Sequence, residues 1–442
     1  MRIGKLATML AVGALLASTF LVVSATAESK ARIVRLSDVE GKVQIDRTAG
    51  DGFEKAFLNL PVIEGSHLKT GKGGRAEVEF ENGSALRIGA DSELAFTHLA
   101  LGSDGQKLTT VQLVSGTAYA NLRAKNGDQF QLNFAKESIA VPEAAHFRVV
   151  IDDATATVAV FKGTLKASGP SGQFEVAEKH SATIDLAKAD PTDKKAFVIA
   201  KSYDQDSLDG WDRQQNDYHD RYANAGGSNF DSPYGYGVSD LSYYGNFMMI
   251  PGYGFAWQPF FMDAAWNPFM DGAWAWYPGM GYMWVSGYPW GWMPYYYGNW
   301  GFFPGYGWAW QPGQWNSWYG LPRVVNAPAK ASIPTAPVSG HQTVMVGKGL
   351  TIHPAIASRR LTINPGSASF GVPRSVRHLD RVANTMARTS RPAVVAPQPP
   401  PTVWASSSSG FATSSPLGTG TSGSTTPASH GTVGHSSGGP HK

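Results

Sequence analysis

The amino-acid sequence predicts an all-β protein in which a β-solenoid or β-sandwich domain is followed by an aromatic-rich β repeat and a disordered tail. Short alternating runs bounded by turn residues predict the first part. A repeat of fixed period predicts the second, and 13 of the 14 tryptophans fall between Trp211 and Trp318. The third part loses hydrophobic periodicity and is rich in Ser, Thr, Gly and Pro, which is typical of disorder.

Composition excludes several classes of function. The 442 residues include 37 Lys+Arg and 34 Asp+Glu, a net charge of +3. This near-balance argues against a nucleic-acid-binding protein, which normally carries a large basic excess. The chain has no cysteine, which excludes disulfide frameworks, thiolate metal sites and cysteine nucleophiles.

Residues 1–27 are predicted to be a secretory signal peptide. Arg2 and Lys5 precede an apolar stretch at 6–23, and Ala25-Thr-Ala27 has the small-x-small pattern of a cleavage site. The expected location is therefore periplasmic or secreted. A retained membrane anchor is the alternative, because the stretch is about as long as the shortest bilayer-spanning helices.

Residues 28–200 are predicted to form the all-β domain. The segment at 75–81 alternates with period two, Asn82-Gly83 follows, and a second strand begins at Ser84. This pattern predicts a hairpin with a type I′ turn, which needs positive φ at both central residues. Asp152-Asp153 similarly indicates a hairpin turn rather than a catalytic carboxylate pair, because adjacent strand residues face opposite ways.

Residues 201–240 are predicted to be a linker that contains a short amphipathic helix. Its apolar residues recur near one helical face: Leu208, Trp211, Tyr218 and Tyr222. An acidic cluster accompanies it: Asp204, Asp206, Asp209 and Asp212. We interpret the cluster as a solvated helix start, which suits the helix dipole. Calcium binding is the alternative, although no EF-hand loop is present.

Residues 241–320 are predicted to form Trp/Tyr-rich β repeats of 26–27 residues. The segment at 266–284 matches that at 292–310, and a weaker first copy ends at Trp257. Pro-Gly recurs at Pro251, Pro278 and Pro304, where it favours tight turns. Each unit is therefore predicted to be strand, turn, strand, turn, and a stack of units would form a small sheet array.

The rings of the repeat have two alternative roles. They form a packed core, since each buried ring removes about 150–250 Å² from water, or they form an exposed platform that stacks on sugar rings. The candidate platform residues occupy equivalent positions in the two best copies: Trp266, Trp274, Trp292 and Trp300.

Residues 321–442 are predicted to be a mostly disordered basic tail. They contain 11 Lys+Arg and one acid, whereas residues 28–320 contain 24 basic and 33 acidic residues. The tail is therefore either solvated or in contact with anionic surfaces, including the acidic body itself.

The sequence predicts no catalytic residue, no metal site and no cofactor. The histidines of the β domain stand apart, without the spacing of a zinc site: His67, His98, His146 and His180. No Gly-x-Ser-x-Gly nucleophile elbow occurs. We therefore expect a protein that is not an enzyme.

Four segments of the β domain resemble the periplasmic FecR domain over roughly residues 32–165. They are residues 60–71, 76–88, 91–94 and 113–117. The motif residues are Gly65, Thr70, Gly71, Asn82, Gly83, Ser84 and Gly116. The aromatic repeat resembles the Trp/Tyr/Gly/Pro-rich segment that follows FecR domains in some exported bacterial proteins of unknown function.

The resemblance implies a β domain that works by protein contact. The iron-citrate regulator that names the family passes a signal from an outer-membrane receptor to a sigma factor. Here only five residues precede the hydrophobic stretch, so that role is expected only if the signal is retained. The expected function is a protein-interaction or structural module of the bacterial envelope, with an envelope protein or a polysaccharide as partner. The polysaccharide alternative would act through the Trp repeat.

Overall fold

The computed structural model describes residues 32–123, 127–187, 196–223, 235–259, 266–315 and 320–347. These residues belong to one compact unit, and a second unit, residues 401–442, lies outside them. The predicted signal peptide, residues 1–27, and residues 348–442 of the predicted disordered tail also lie outside the described residues. The described part of that tail, residues 321–347, contains two short strands.

The described residues form 25 strands and three short helices, which confirms the all-β fold class. The strands of the N-terminal half are β1 (Val34–Glu40), β2 (Val43–Asp46), β3 (Glu54–Lys55), β4 (Pro61–Val62), β5 (His67–Thr70), β6 (Arg75–Glu79), β7 (Ala85–Ile88), β8 (Glu93–Leu101), β9 (Lys107–Leu122), β10 (Gln129–Phe134), β11 (Glu137–Val141), β12 (Ala145–Ile151), β13 (Thr155–Lys162), β14 (Leu165–Gly169), β15 (Gly172–Val176), β16 (Ser181–Asp185) and β17 (Phe197–Ala200). The remaining elements are α1 (Asp209–Tyr222), α2 (Val238–Tyr244), β18 (Gly245–Ile250), β19 (Gly254–Pro259), β20 (Gly272–Tyr277), β21 (Gly281–Ser286), α3 (Met293–Tyr296), β22 (Tyr297–Phe303), β23 (Gly307–Trp315), β24 (Arg323–Val325) and β25 (Val344–Val346).

The first 17 strands form two sheets that share β9. The first sheet has the order β4-β1-β6-β7-β9-β12-β13-β16-β17 and is antiparallel throughout. The second has the order β3-β2-β5-β8-β9-β10-β11-β14-β15, with one parallel pair, β9 and β10. Inward side chains of both sheets enter one hydrophobic core, in which Val78, Leu113 and Phe147 are fully buried.

Gly116 is the point at which β9 passes from one sheet to the other. Ser115 pairs with β8 of the second sheet, and Gly116 pairs with β12 of the first. Its φ is +80°, and a Cβ there would lie 2.7 Å from Ser92 Cα. Only glycine meets both demands without strain.

The hairpin of β6 and β7 confirms the predicted strands but corrects the turn. Phe80 and Ser84 close a three-residue loop, and the Gly83 amide donates to the Phe80 carbonyl at 2.9 Å. Gly83 has φ +79°, while Asn82 is not among the described residues with positive φ. The connection is therefore a type I turn with a G1 bulge, not a type I′ turn, because the loop is one residue longer than the type I′ hairpin allows.

Helix α1 forms where the periodicity predicts it, and Trp211 and Tyr218 lie on its buried face. The same face also buries Asp212, Gln215 and His219. This polar content has a structural reason, because α1 covers the charged outer side of the first sheet.

Three Pro-Gly hairpins make up the aromatic repeat: β18–β19, β20–β21 and β22–β23. In each turn the proline precedes a glycine of positive φ, between +72° and +78°, which is the requirement of a type II turn. The three hairpins do not stack in chain order. Hairpins one and three share a sheet, ordered β18-β19-β23-β22-β24, while hairpin two pairs with β25. Hairpin two packs instead against the N-terminal domain.

The composition boundaries near residues 200 and 240 do not interrupt the packing. One core contains aliphatic residues of the two N-terminal sheets and aromatic residues of the repeat, such as Tyr277 and Trp292. The N-terminal domain and the aromatic region therefore share their interior.

Candidate functional site

A layer of buried charged residues joins the outer face of the first sheet to α1 and α2. In its centre Arg87, on β7, contacts Glu77 on β6 at 2.8 Å and Asp212 on α1 at 2.6 Å. All three side chains are at most 2% exposed. We call the set formed by Arg35, Glu77, Glu79, Arg87, Asp212 and Asp240 the charged layer.

Arg35 forms the second centre of the charged layer. Its guanidinium contacts Glu79 at 3.2 Å and Asp240 of α2 at 2.5 Å. It also donates to the Pro289 carbonyl at 2.6 Å. Strand, helix and aromatic region therefore meet at one arginine, whose charge is matched by two carboxylates.

Two histidines extend the charged layer. His146 Nε2 lies 2.6 Å from Asp212 Oδ2, and His219 Nε2 lies 3.1 Å from Glu77 Oε1. Burial alone would raise the pKa of Asp212, but the hydrogen bond with His146 and the charge of Arg87 together hold it below its usual value. The ionised carboxylate is thus the form that the fold stabilises.

The structure corrects the prediction that the acidic cluster is a solvated helix start. Asp212 is buried, and Asp209 accepts hydrogen bonds from Tyr119 at 2.9 Å and from Arg148 at 2.5 Å. Asp206 also accepts from Tyr119, at 3.0 Å. These three aspartates pair with the outer face of the first sheet, which the local sequence did not indicate, while the side chain of Asp204 is exposed. Within the described ranges, no group of three or more His, Asp or Glu side chains is arranged to hold a metal ion.

Hairpin two closes against the edge of the N-terminal domain. Tyr277 donates from its hydroxyl to the Pro61 carbonyl at 2.6 Å. Asn59 donates to the carbonyls of Ser286 at 3.0 Å and Tyr288 at 2.7 Å. These bonds fix the position of the aromatic region on the sheets.

The predicted motif residues of the β5–β8 region occupy turns and strand crossings. Gly65, with φ +84°, donates its amide to the Phe96 carbonyl at 2.8 Å. Thr70 accepts from the Ser92 amide at 3.0 Å and donates to the Gly89 carbonyl at 2.5 Å. Gly71 donates to the Lys42 carbonyl at 2.9 Å. Their side chains and amides are engaged within the fold.

The remaining motif residues hold the β6–β7 turn and the β9 crossing. Asn82 accepts from the Ser84 amide at 3.0 Å and donates to the Arg123 carbonyl at 2.8 Å. Ser84 in turn accepts from the Arg123 amide at 2.8 Å. Gly83 and Gly116 supply the positive φ values described above. The motif residues therefore hold turns and strand crossings in place. They do not lie together on one surface.

The structure corrects the platform hypothesis for its four tryptophans. Trp266, Trp274, Trp292 and Trp300 are between 0% and 4% exposed. Trp266 lies edge-on to Trp300, with ring centroids 5.9 Å apart, and Trp274 lies edge-on to Trp284 at 5.3 Å. These rings form a core because few aliphatic side chains are available in the region to fill it.

The aromatic region also buries one carboxyl, Asp271, at 6% exposure. Its Oδ1 atom has no hydrogen-bond partner among the described residues. Burial raises the pKa of Asp271 to about 6.

Among the described residues, no helix covers the outer face of the second sheet, unlike that of the first. Its central strands present uncharged polar side chains that are half-buried by their neighbours: Thr110, Gln112, Gln131, Asn133 and Ser138. We call these five residues the open face. Gln131 donates to Asn133 at 2.9 Å, so the amides are ordered side by side. The opposite side of the same strands carries the buried Val111 and Leu132.

Sequence reasoning missed the charged layer. The alternation at residues 75–81 indicated that its glutamates face away from the core, but not that another part of the chain covers them. A usable signal was present in α1, whose predicted apolar face also contains Asp212 and His219. Charged residues on the buried side of a helix indicate partners of opposite charge.

Comparisons with known proteins agree with this architecture. Residues 66–166 match the family model described as FecR protein, and residues 238–339 match a family of unknown function, DUF6600. No curated protein matches the chain.

Two solved structures from Parabacteroides distasonis ATCC 8503, each described as a "putative anti-sigma factor", are similar to part of the chain. Their identities are 14% and 15%, with TM-scores of 0.26 and 0.27. They cover 31% and 34% of this chain, which in turn spans 59% and 64% of theirs. The two family matches confirm the resemblance found in the sequence. The chain therefore carries a FecR domain, followed by a DUF6600 region.

Proposed function

We propose that this chain is a non-enzymatic, exported protein of the bacterial envelope, periplasmic or secreted, that acts as a protein-interaction or structural module. The FecR match supports an envelope role for the β domain. The predicted signal peptide supports export. No helix among the described residues is long and apolar enough to cross a membrane.

The observation that carries the proposal is the contrast between the two sheet faces of the β domain. The outer face of the first sheet is covered by α1 and α2 through buried ion pairs, and Arg35 on the same sheet also donates to the Pro289 carbonyl of the aromatic region. The open face keeps donors and acceptors on Gln131, Asn133 and their neighbours available to a partner. A protein partner is therefore expected on the second sheet.

Site-specific photo-crosslinking in cells tests this assignment. A photoreactive residue replaces Gln131 on the open face, and a matched variant replaces Gln214, which is exposed on α1. We expect a discrete crosslinked species from position 131, containing an envelope protein, and none from position 214. Equal products from both positions, or none from either, would contradict the proposal.

Export is tested separately by cell fractionation and by mass spectrometry of the mature protein. Cleavage after Ala27 predicts that the mature chain begins at Glu28 in the periplasmic or secreted fraction. A chain that retains its first 27 residues in the inner membrane would support a transmembrane regulator instead.

Polysaccharide binding remains the alternative proposal, but the four buried tryptophans offer no stacking surface for it. Tyr253 is a better candidate, because it is 45% exposed and lies edge-on to Phe303 at 4.9 Å. The test is co-sedimentation of the wild type and Tyr253→Ala with insoluble peptidoglycan. Binding that is lost in this folded variant would favour the alternative.

A further inference from the structure

The four ends of the two N-terminal sheets differ in how they are protected against pairing with another strand. Natural edge strands are shortened, charged or interrupted by proline, because a free edge binds other strands. Strand β3 has two residues, both charged, and β4 has two residues and begins with Pro61. Strand β15 exposes Glu175. Three of the four ends therefore carry a protecting feature.

Strand β17, the fourth end, has no charged residue and no proline within its four residues, and the nearest described charge is Lys201, directly after it. Its four residues are Phe-Val-Ile-Ala, and among the described residues it pairs only with β16, in regular register. Val198 is 65% exposed and Ile199 is 44% exposed. Phe197 stacks on Phe174 with ring centroids 4.3 Å apart, which holds the strand in place. The free edge is therefore ordered, apolar and accessible.

We propose that two copies of this chain associate through β17, by antiparallel pairing of the strand with its equivalent in the second copy. A two-fold axis brings the central residue of a strand opposite itself, so a charged edge would place like charges together. An uncharged strand avoids this repulsion, and β17 is the only one of the four ends that is both uncharged and longer than two residues. Pairing would continue the first sheet across the dimer.

The symmetry restricts the register of the pairing. Opposed residues of an antiparallel pair lie on the same face of the sheet, and a two-fold axis perpendicular to the sheet keeps each residue on its own face. The axis therefore passes midway between the two copies of one residue. A centre at Val198 or Ile199 keeps the most residues of the four-residue strand in the pairing. Both positions bring an exposed apolar side chain against its own equivalent. Because four residues bury much less than the roughly 1,200–2,000 Å² of a stable interface, the dimer is weak and depends on concentration.

Cysteine cross-linking tests the register directly, since the chain has no cysteine of its own. Val198→Cys and Ile199→Cys are made in the full mature protein and oxidised at high concentration. Opposed Cα atoms in an antiparallel pair lie about 4.5–5.5 Å apart, within the range for a disulfide of about 4.4–6.8 Å. We expect one of the two variants to form a covalent dimer. Gln173→Cys, exposed on the protected strand β15, is the matched control and is expected to remain monomeric.

Sedimentation velocity of the unmodified protein and of Val198→Lys provides the second measurement. In either register the two lysines lie on the same face of the sheet within one residue of the axis, where like charges repel. We therefore expect the dimer dissociation constant to rise at least about tenfold, which is roughly 1.4 kcal/mol. Val198→Thr keeps a neutral, β-branched side chain and is expected to dimerise like the wild type. Far-ultraviolet circular dichroism shows whether each variant is folded. A wild type that stays monomeric at its highest soluble concentration would overturn the proposal, as would equal cross-linking of the Gln173→Cys control.

Discussion

Replacing Asp212 by Asn is expected to destabilise the whole folded unit strongly. Asp212 is 1% exposed and accepts from Arg87 at 2.6 Å. The substitution keeps the shape of the side chain but removes its charge, so Arg87 keeps a single carboxylate, Glu77. Breaking a buried pair from one side costs about 3–5 kcal/mol, because the remaining charge stays buried. At about 2–4 °C per kcal/mol, the melting temperature should fall by roughly 6–20 °C.

Urea unfolding, followed by tryptophan fluorescence and circular dichroism, measures this loss. The matched control is Asp217→Asn, because Asp217 lies on the exposed side of the same helix and should change stability by less than about 0.5 kcal/mol. Fluorescence reports mainly the aromatic region and circular dichroism mainly the sheets, and the shared core predicts coincident transitions. A difference between the two variants below about 1 kcal/mol would refute the role assigned to the charged layer.

The same ion pair predicts how the stability of the protein depends on pH. The folded pKa of Asp212 lies below its ordinary value of 3.8, so the folded state binds this proton more weakly than the unfolded state does. Its stabilising contribution is present above the unfolded pKa and is lost as the pH falls through the folded pKa. The stability difference between wild type and Asp212→Asn should therefore be largest at neutral pH and shrink below about pH 4.

Three further substitutions test other features of the fold. Gly116→Ala should cost at least about 2 kcal/mol in urea unfolding, because a Cβ there meets Ser92 at 2.7 Å, whereas Gly105→Ala, with φ +81° and open space, should cost only about 1 kcal/mol. Asp271→Asn should stabilise the protein by about 1–3 kcal/mol at pH 7.5 and not at pH 4. The reason is that ionisation of a carboxyl with a pKa of about 6 opposes folding as the pH rises from 4 to 6. Equal effects of the substitution at both pH values would contradict the burial of Asp271. Tyr277→Phe should lose about 0.5–1.5 kcal/mol, since the Pro61 carbonyl loses its donor, and an unchanged melting temperature would argue against that bond.

Local features of the fold could be predicted because short stretches of chain determine them. The Pro-Gly turns, the β6–β7 strands and helix α1 follow from turn chemistry and periodicity, and all three occur. The predicted type I′ turn at Asn82-Gly83 is wrong, because the loop has three residues instead of two. The dipeptide alone does not specify the loop length.

The long-range features could not be predicted in the same way. Alternation separates two faces of a strand but does not reveal which face another part of the chain covers. The partners of Arg87 on α1 lie 125 and 129 residues later in the sequence. Likewise, the repeat predicts three similar hairpins but not that the first pairs with the third. The choice between a tryptophan core and a platform depended on this arrangement.

The hydrogen bond between Arg35 and Pro289 has a consequence for the order of folding. The two residues are separated by 254 positions, and at a synthesis rate of about 5–20 residues per second the second follows the first by roughly 13–50 s. The nascent sheets have no covering helix until α1 and α2 have been made, and the guanidinium of Arg35 lacks this last acceptor until Pro289 follows. High contact order of this kind slows folding, so the final docking step should be late and should limit the rate at which the native state appears.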